Sequence, residues 1–204
     1  MGRKFNPKNR GRSLNGWLVI DKPKGRTSAN IVAEVKRLTG AIKAGHGGTL
    51  DPLADGILPV ALGEATKTVA YAMDHEKSYN FTIRWGESRS TDDEEGEVIN
   101  STAKRPCASD IEAALPAFTG YIDQVPPAFS AIKVDGQRAY DLARKGRRPR
   151  LAPRVVHVKQ FRLVRCKTPD SADFEIVCGK GTYVRSVARD MAIDLGTFGF
   201  VSDI

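Results

Sequence analysis

The stretch that most constrains the fold of this chain is residues 45–59, which read GHGGTLDPLADGILP. Four glycines and two prolines stand among these fifteen residues. Glycine loses much conformational freedom when it is ordered, and proline has no backbone N–H to donate, so a regular helix or strand cannot run through the whole stretch. We therefore predict a shaped loop with separate elements on either side, whose glycines let the backbone approach a ligand closely.

Asp51 is the first candidate for chemistry within this loop. The proline that follows it favours an extended backbone at Asp51, which could hold the carboxylate away from the loop. On composition alone, a surface turn in which Asp51 hydrogen-bonds its own backbone is the commoner outcome. His46 has two interpretations as well, because a histidine among glycines either stacks on a flat ligand or is a solvated loop residue.

Basic residues are concentrated in two segments of this 204-residue chain, whose net charge is +8. Residues 1–15 carry five Lys or Arg and no acid, which predicts a disordered basic arm. Residues 138–154 carry seven Lys or Arg against a single Asp. A polyanion bound to one face would account for this asymmetry, and so would a solubilising surface.

Several classes of site and location are excluded or disfavoured by composition. Cys107, Cys166 and Cys178 have neither zinc-site nor redox-motif spacing, which indicates reduced thiols in a cytoplasmic protein. The three histidines do not pair with other ligands at metal-site spacing, so we expect no metal. Residues 179–182, GKGT, complete neither a Walker nor a dinucleotide motif. No apolar run is long enough for a membrane span.

The hydrophobic periodicity predicts an α+β fold with a mixed, largely antiparallel sheet and flanking helices. Residues 79–85 alternate as a half-buried strand does, a helix is predicted over about 64–73, and residues 184–195 follow the helical period. We predict that Thr182 caps this last helix. Arg185 then lies in its first turn, where a cation opposes the helix dipole unless an anion is near. Asp51 and RNA are both candidates for that anion, although on this feature alone an exposed arginine that costs little is the commoner outcome.

Six short motifs occur together in the chain. They are DKPKGRTS at 21–28, KAGHGGTLDPLA at 43–54, GEATK at 63–67, KSY at 77–79, SAIK with GQRAY across 130–140, and GTYVRS at 181–186. In this combination the chain resembles the bacterial TruB-type tRNA pseudouridine synthases, from about residue 14 to its end. The resemblance predicts the pseudouridine synthase catalytic fold over 16–204.

The resemblance implies isomerisation of uridine 55 in the T loop of tRNA to pseudouridine, with no cofactor and no metal. Asp51 matches the catalytic aspartate and Arg185 the arginine that pairs with it. The residues that match the family's binding site for the flipped-out uridine are His46, Tyr79, Tyr183 and Ile204. Lys22 and Pro23 match a motif that supports the catalytic loop from behind. The implied partner is the T arm of tRNA. The resemblance also implies a monomer that does not associate with a membrane and has no obligatory protein partner.

Departures from the family pattern occur in two places. Asp55 stands where the family more often has a small hydroxyl residue, and a second carboxylate there tends to raise the pKa of Asp51 unless Arg185 offsets it. At the other end, Ile204 takes the place of a pocket leucine, and Phe200 that of a common histidine. We expect the chain to lack the family's C-terminal segment and its small RNA-binding domain, and Ile204 to fray at a free terminus.

Two further functions compete with the synthase hypothesis. The first alternative is a truncated, inactive relative that binds or refolds tRNA, which would share every binding feature. The second is an unrelated carboxylate-dependent hydrolase, which would need a second acid at a suitable distance, and Asp55 is the one nearby candidate.

Overall fold

A computed structural model of the chain describes residues 11–134, 136–147 and 149–204. The chain divides between His75 and Glu76 into two compact units. The described residues do not include most of the predicted basic arm, Asp135, or Arg148 of the basic segment. The predicted catalytic domain, 16–204, includes residues of both units.

The first unit is a small antiparallel sheet with helices. Its strands and helices are β1 (Gly16–Lys22), α1 (Ser28–Thr39), β2 (Ala44–His46), β3 (Gly56–Leu62), a 3₁₀ helix (Gly63–Thr68) and α2 (Val69–Met73). The strand order is β1-β3-β2, with both pairs antiparallel. The predicted loop is therefore shorter than residues 45–59, because both of its ends pair as strands and only 47–55 connect them.

Helix α1 has clear start and stop signals and provides two of the six buried residues in the core of this unit. The Thr27 side chain accepts a hydrogen bond from the backbone of Asn30 at 3.1 Å, and Gly40 ends the helix with φ of 68°. Its buried apolar face packs on the inner face of the sheet. The buried residues of this core are Ile31, Val35, Ala41, Leu58, Val60 and Leu62.

The end of the predicted basic arm lies against the first unit. The backbone N–H of Arg12 donates to Gly40 O at 2.6 Å, and Arg12 and Ala41 form an isolated parallel bridge. Asn15 continues this contact, since its side-chain oxygen accepts from the backbone N–H of Glu64 at 2.8 Å. Arg12 and Asn15 thus have defined partners in this segment.

The second unit is built on a five-stranded antiparallel sheet of order β12-β4-β11-β10-β7. Its elements are β4 (Lys77–Trp85), β5 (Glu87–Arg89), β6 (Val98–Ser101), α3 (Ala108–Ala114), a 3₁₀ helix (Leu115–Phe118), β7 (Gly120–Gln124), β8 (Lys133–Val134), β9 (Gln137–Arg138), α4 (Ala139–Arg144), β10 (Arg154–Thr168), β11 (Ser171–Cys178), α5 (Val184–Asp194) and β12 (Gly199–Asp203). Strands β5 and β6 form one two-stranded ribbon, and β8 and β9 another.

Helix α5 lies against the edge strand β12 and the core of the second unit. Gly199 permits this close approach, because a Cβ there would be 2.9 Å from the Ala192 side chain. Val187 and Met191 on α5 are buried, as are Phe81 and Phe174 on the central strands. Alternating side chains on β4 and a helical stripe on α5 thus produce this core, as their sequence periods predict.

The α+β fold with a largely antiparallel sheet and flanking helices is confirmed. Two local predictions were wrong: half of the helix predicted over 64–73 is a 3₁₀ helix, and Thr182 does not cap α5 but donates to Gly179 O at 3.1 Å. Tyr183 is the N-cap residue of α5, and the side chain of buried Gln124 bonds both its N–H and its C=O. No helix within the described ranges is long and apolar enough to cross a membrane.

Candidate active site

The loop that carries Asp51 is braced by α1 of the same unit. The hydroxyl of Ser28 accepts from the Leu50 N–H at 2.9 Å and donates to the Leu50 C=O at 3.0 Å. On the other side of Asp51, the carbonyl of Pro52 accepts from the Gly25 N–H at 2.8 Å. Asp51 is therefore held between two anchored neighbours, and its side chain is half-buried.

Replacing Ser28 with Ala tests this brace. The change leaves both backbone groups of Leu50 without their buried partner, which costs about 1–3 kcal/mol. We expect a lower free energy of unfolding in urea titrations, whereas Thr39→Ala, which removes a hydroxyl from the opposite end of α1, has a smaller effect. A Ser28→Ala variant as stable as the parent would contradict the brace.

Lys22, predicted to support the loop, is fully buried at the end of β1. Its ammonium donates to the carbonyls of Pro23 at 3.1 Å and Arg26 at 2.8 Å. Burial lowers the pKa of the Lys22 ammonium from its usual value, and the carboxylates of Asp55 and Asp51 act in the opposite direction. The prediction that Lys22 lies behind the loop is consistent with this buried position.

Asp55 and His46 occupy different environments in the first unit. Asp55 is exposed and forms a long ion pair of 4.0 Å with Lys24. His46 ends β2 opposite Val60, and within the described part of the chain its Nδ1 is buried without a hydrogen-bond partner.

The second unit holds the other predicted site residues. Tyr79 is half-buried on β4 opposite Ile176, and Tyr183 directly precedes α5. Ile204 follows β12 and is half-buried, whereas Phe200 is buried with the Arg89 guanidinium 4.3 Å above its ring. Phe200 therefore has a packing role here.

Arg185 lies in the first turn of α5 and is almost fully buried. One guanidinium nitrogen donates to Thr91 O at 2.8 Å and lies 3.4 Å from the Asp93 carboxylate. The other terminal nitrogen donates to Phe129 O at 3.1 Å. This cluster supplies the anion that a cation at a helix N-terminus requires.

Sequence reasoning missed Asp93 and its neighbour Asp92. Both belong to the acidic run of residues 92–97 after β5, whose composition predicts a turn and indicates no functional site. Asp92 accepts a hydrogen bond from Arg189 at 2.9 Å, so adjacent acids contact two arginines one helical turn apart. The single sequence signal was Arg185 itself, since a cation in a first turn calls for an acceptor that the nearby sequence does not contain.

The predicted residues group by unit. Lys22, Pro23, His46 and Asp51 belong to the first unit, and Tyr79, Tyr183, Arg185 and Ile204 to the second. The predicted pairing of Asp51 with Arg185 joins the two units and stays a prediction. No group of three His, Cys, Asp or Glu side chains with metal-site geometry occurs among residues 11–134, 136–147 and 149–204.

Comparison with known proteins gives consistent similarities. The chain is 56% identical over 197 residues to a tRNA pseudouridine synthase B of Bartonella quintana, covering 97% of this chain and 73% of the relative. It is 55% identical to one of Brucella melitensis, of which it covers 61%. A chain in a solved Cbf5-Nop10-Gar1 complex superposes with a TM-score of 0.70 at 27% identity, covering 96% of this chain and 47% of that one.

The family model described as "TruB family pseudouridylate synthase (N terminal domain)" matches residues 36–184. The match spans the loop of Asp51, strand β4 with Tyr79, and the segment that ends at the start of α5. The chain covers less than two thirds of the length of the Brucella relative. Since most of the chain matches the family model, it belongs to the TruB family of pseudouridylate synthases.

Proposed function

We propose that this chain isomerises uridine to pseudouridine in tRNA, and that its target is uridine 55 of the T loop. The observation that carries the proposal is the family match over residues 36–184, which includes His46, Asp51 and Tyr79. The two curated relatives described above are both named tRNA pseudouridine synthase B. The proposed enzyme class is an isomerase that acts on RNA.

The proposed reaction is an isomerisation, so uridine and pseudouridine contain the same atoms. The bond between N1 of the base and C1′ of the ribose breaks, and a bond between C5 and C1′ forms. The proton on C5 is lost to water, and N1 gains a proton. The reaction needs no oxidant, reductant or co-substrate, which agrees with the expectation of no cofactor.

Asp51 is the proposed catalytic residue, acting on the flipped-out nucleotide during bond cleavage and re-formation. The loop geometry supports this role, because anchored neighbours on both sides fix the backbone around Asp51. Groups that are held in place lose little freedom during the reaction, and this lowers the barrier. Arg185 is proposed as the partner of Asp51.

Tyr79, Tyr183 and His46 are proposed to hold the uridine and the opened T loop. Flat side chains stack on unpaired bases, and RNA loops are recognised largely in this way. Ile204 is proposed to contribute apolar contact to the same pocket. We further propose that the chain acts as a monomer without an obligatory protein partner, in the cytoplasm where tRNA is modified.

The basic segment 138–154 is proposed to bind the tRNA backbone. Lys133, Arg138, Arg144 and Lys145 line one open cavity of about 570 Å³, with Asp141 as its one acidic lining residue. Such a lining attracts phosphates, and each phosphate contact releases condensed counterions. The cavity lies within the second unit.

Changing Arg147 and Arg150 to Ala tests this binding surface. We expect weaker tRNA binding and a slope of log K against log salt that is shallower by about 1–2, because two phosphate contacts are lost. Filter binding between 50 and 200 mM salt measures the slope. A control pair, Arg162→Ala and Arg165→Ala on β10, removes the same charge from residues paired with Glu175 and Asp173. An unchanged slope in the Arg147 and Arg150 variant would place the RNA elsewhere.

Tritium release tests the proposed activity. A tRNA transcript labelled with tritium at C5 of its uridines is incubated with the purified chain alone, and tritium in water is counted. We expect about one equivalent per tRNA, and none from a transcript with cytidine at position 55. Binding of both transcripts without release from either would instead support a tRNA-binding or tRNA-refolding protein.

A further inference from the structure

Two arginine–aspartate contacts lie side by side between α5 and the turn at residues 91–93. Arg185 contacts Asp93 and the Thr91 carbonyl, and Arg189 contacts Asp92. Residues four apart on a helix lie on the same face, about 6 Å apart along the axis, so the two guanidinium groups project from α5 in parallel. Both carboxylates of the turn are used by this one helix face.

The backbone of Asp92 determines how the turn presents its acceptors. Asp92 has φ of 60° and is the one residue other than glycine with positive φ in the described part of the chain. Its N–H donates to Arg89 O at 3.1 Å, and its C=O accepts from Val201 N–H at 3.1 Å. An L-residue in this conformation is strained by about 1–2 kcal/mol, less for Asp and Asn, so it persists where its surroundings hold it.

Arg189 is the side chain of α5 that holds Asp92 in place. It donates to the Asp92 carboxylate at 2.9 Å, to the Val125 carbonyl at 2.8 Å and to Asp190 at 2.8 Å. Ser186 also donates to the Val125 carbonyl, at 2.8 Å. Arg189 thus ties the turn at 91–93 to the segment that follows β7, and these two segments carry the acceptors of Arg185.

The contact between Arg189 and Asp92 offsets part of the cost of burying the Asp92 carboxylate. Burial raises the pKa of the Asp92 carboxyl above its ordinary value, although Arg189 opposes the change. The ionised carboxylate is therefore disfavoured by the fold, and buried ion pairs of this kind often add no net stability. A contact that offsets this burial cost and also holds a residue in a strained conformation fits a positioning role.

We propose that Arg189, through Asp92, is a positioning residue for Arg185 in the isomerisation. The proposal rests on the proposed function, in which Arg185 takes part in catalysis. Arg189 fixes Asp92, the fixed turn directs Thr91 O and the Asp93 carboxylate at Arg185, and the guanidinium of Arg185 is held in one orientation. A small displacement of a catalytic group can lower the rate about a hundredfold.

The first test measures the orientation of Arg185 without any reaction. In protein labelled with ¹⁵N-arginine, the Arg185 guanidinium signal is assigned by its loss in Arg185→Lys, and its exchange with water is followed. We expect exchange to accelerate at least tenfold in Arg189→Met and to stay unchanged in Arg105→Met. Arg105 is a matched control because it pairs with Asp170 in the same unit. Unchanged exchange in Arg189→Met would overturn the proposal.

The second test measures kcat and KM for tRNA by tritium release. Arg189→Met and Asp92→Gly are each expected to lower kcat about tenfold to a hundredfold with little change in KM, and the double variant to be no slower than either single one. Asp92→Asn keeps an acceptor and tolerates positive φ, so it should retain most of the activity. A loss in KM alone, an unchanged kcat, or additive losses in the double variant would overturn the proposal.

The two tests separate this proposal from the proposed function. A parent chain that binds tRNA and releases no tritium would defeat the proposed function. The exchange measurement would then decide by itself whether Arg189 holds Arg185 in place. Parent activity together with unchanged exchange in Arg189→Met would retain the function and overturn the positioning role.

Discussion

Replacing Asp51 with Asn is expected to reduce tritium release by more than about a thousandfold, because the amide keeps the shape of the side chain and loses the charge and basicity of the proposed catalytic group. The anchors at Leu50 and Pro52 are backbone contacts, so the loop should keep its conformation in the variant. We therefore expect unchanged tRNA binding and an unchanged melting temperature.

Asp55→Asn is the matched control for this experiment. It removes the second carboxylate of the same loop, whose partner is Lys24 at 4.0 Å on the surface. An exposed pair of this length contributes about 0–1 kcal/mol, so both stability and release should change little. Release that survives Asp51→Asn, or that is lost in Asp55→Asn instead, would assign the chemistry to another residue.

Replacing Arg185 with Met is expected to lower both stability and activity. Arg185 and Asp93 have side-chain exposures of 7% and 5%, so the variant leaves a buried carboxylate without its cation. Breaking such a pair from one side costs about 3–5 kcal/mol, which corresponds to a melting temperature lower by about 10 °C in a chain of this size. Tritium release should fall as well, because Arg185 is the proposed partner of Asp51.

Arg185→Lys and Arg162→Met complete this series. Lysine keeps the charge but lacks the planar fork that serves the Thr91 and Phe129 carbonyls together, so we expect intermediate stability and low release. Arg162 pairs with Glu175 on the exposed side of β10, and its loss should cost less than about 1 kcal/mol. A melting temperature of Arg185→Met equal to that of Arg162→Met would contradict the buried cluster.

Local sequence signals account for the elements whose cause is local. Thr27 and Gly40 fix the ends of α1, and the apolar stripe of 184–195 produces α5, because caps and helical periodicity act within a few residues. The prediction failed where backbone partners come from elsewhere. The N-cap position of α5 is Tyr183 and not Thr182, and both backbone groups of Tyr183 are bonded by Gln124, which is 59 residues away in sequence.

The features of the candidate site also divide into those that the sequence determined and those that only the tertiary structure decided. The sequence by itself determined the loop around Asp51, since glycine and proline exclude regular structure there, and it determined the family through motifs spread over most of the chain. It also indicated that Arg185 could have an anionic partner, because a cation in a first turn opposes the helix dipole.

Only the tertiary structure decided which groups accept from Arg185 and Arg189, and which residues brace the loop. The contact of Arg185 with Thr91 joins residues 94 apart in sequence, and that of Arg189 with Asp92 joins residues 97 apart. Ser28 reaches Leu50 across 22 residues. Residue type and hydrophobic period describe only the local preferences of a chain. These contacts follow instead from the packing of α1 and α5 on their sheets, because this packing brings polar groups that are distant in sequence into buried positions. A buried polar group must have a hydrogen-bond partner, and the tertiary structure decides which one.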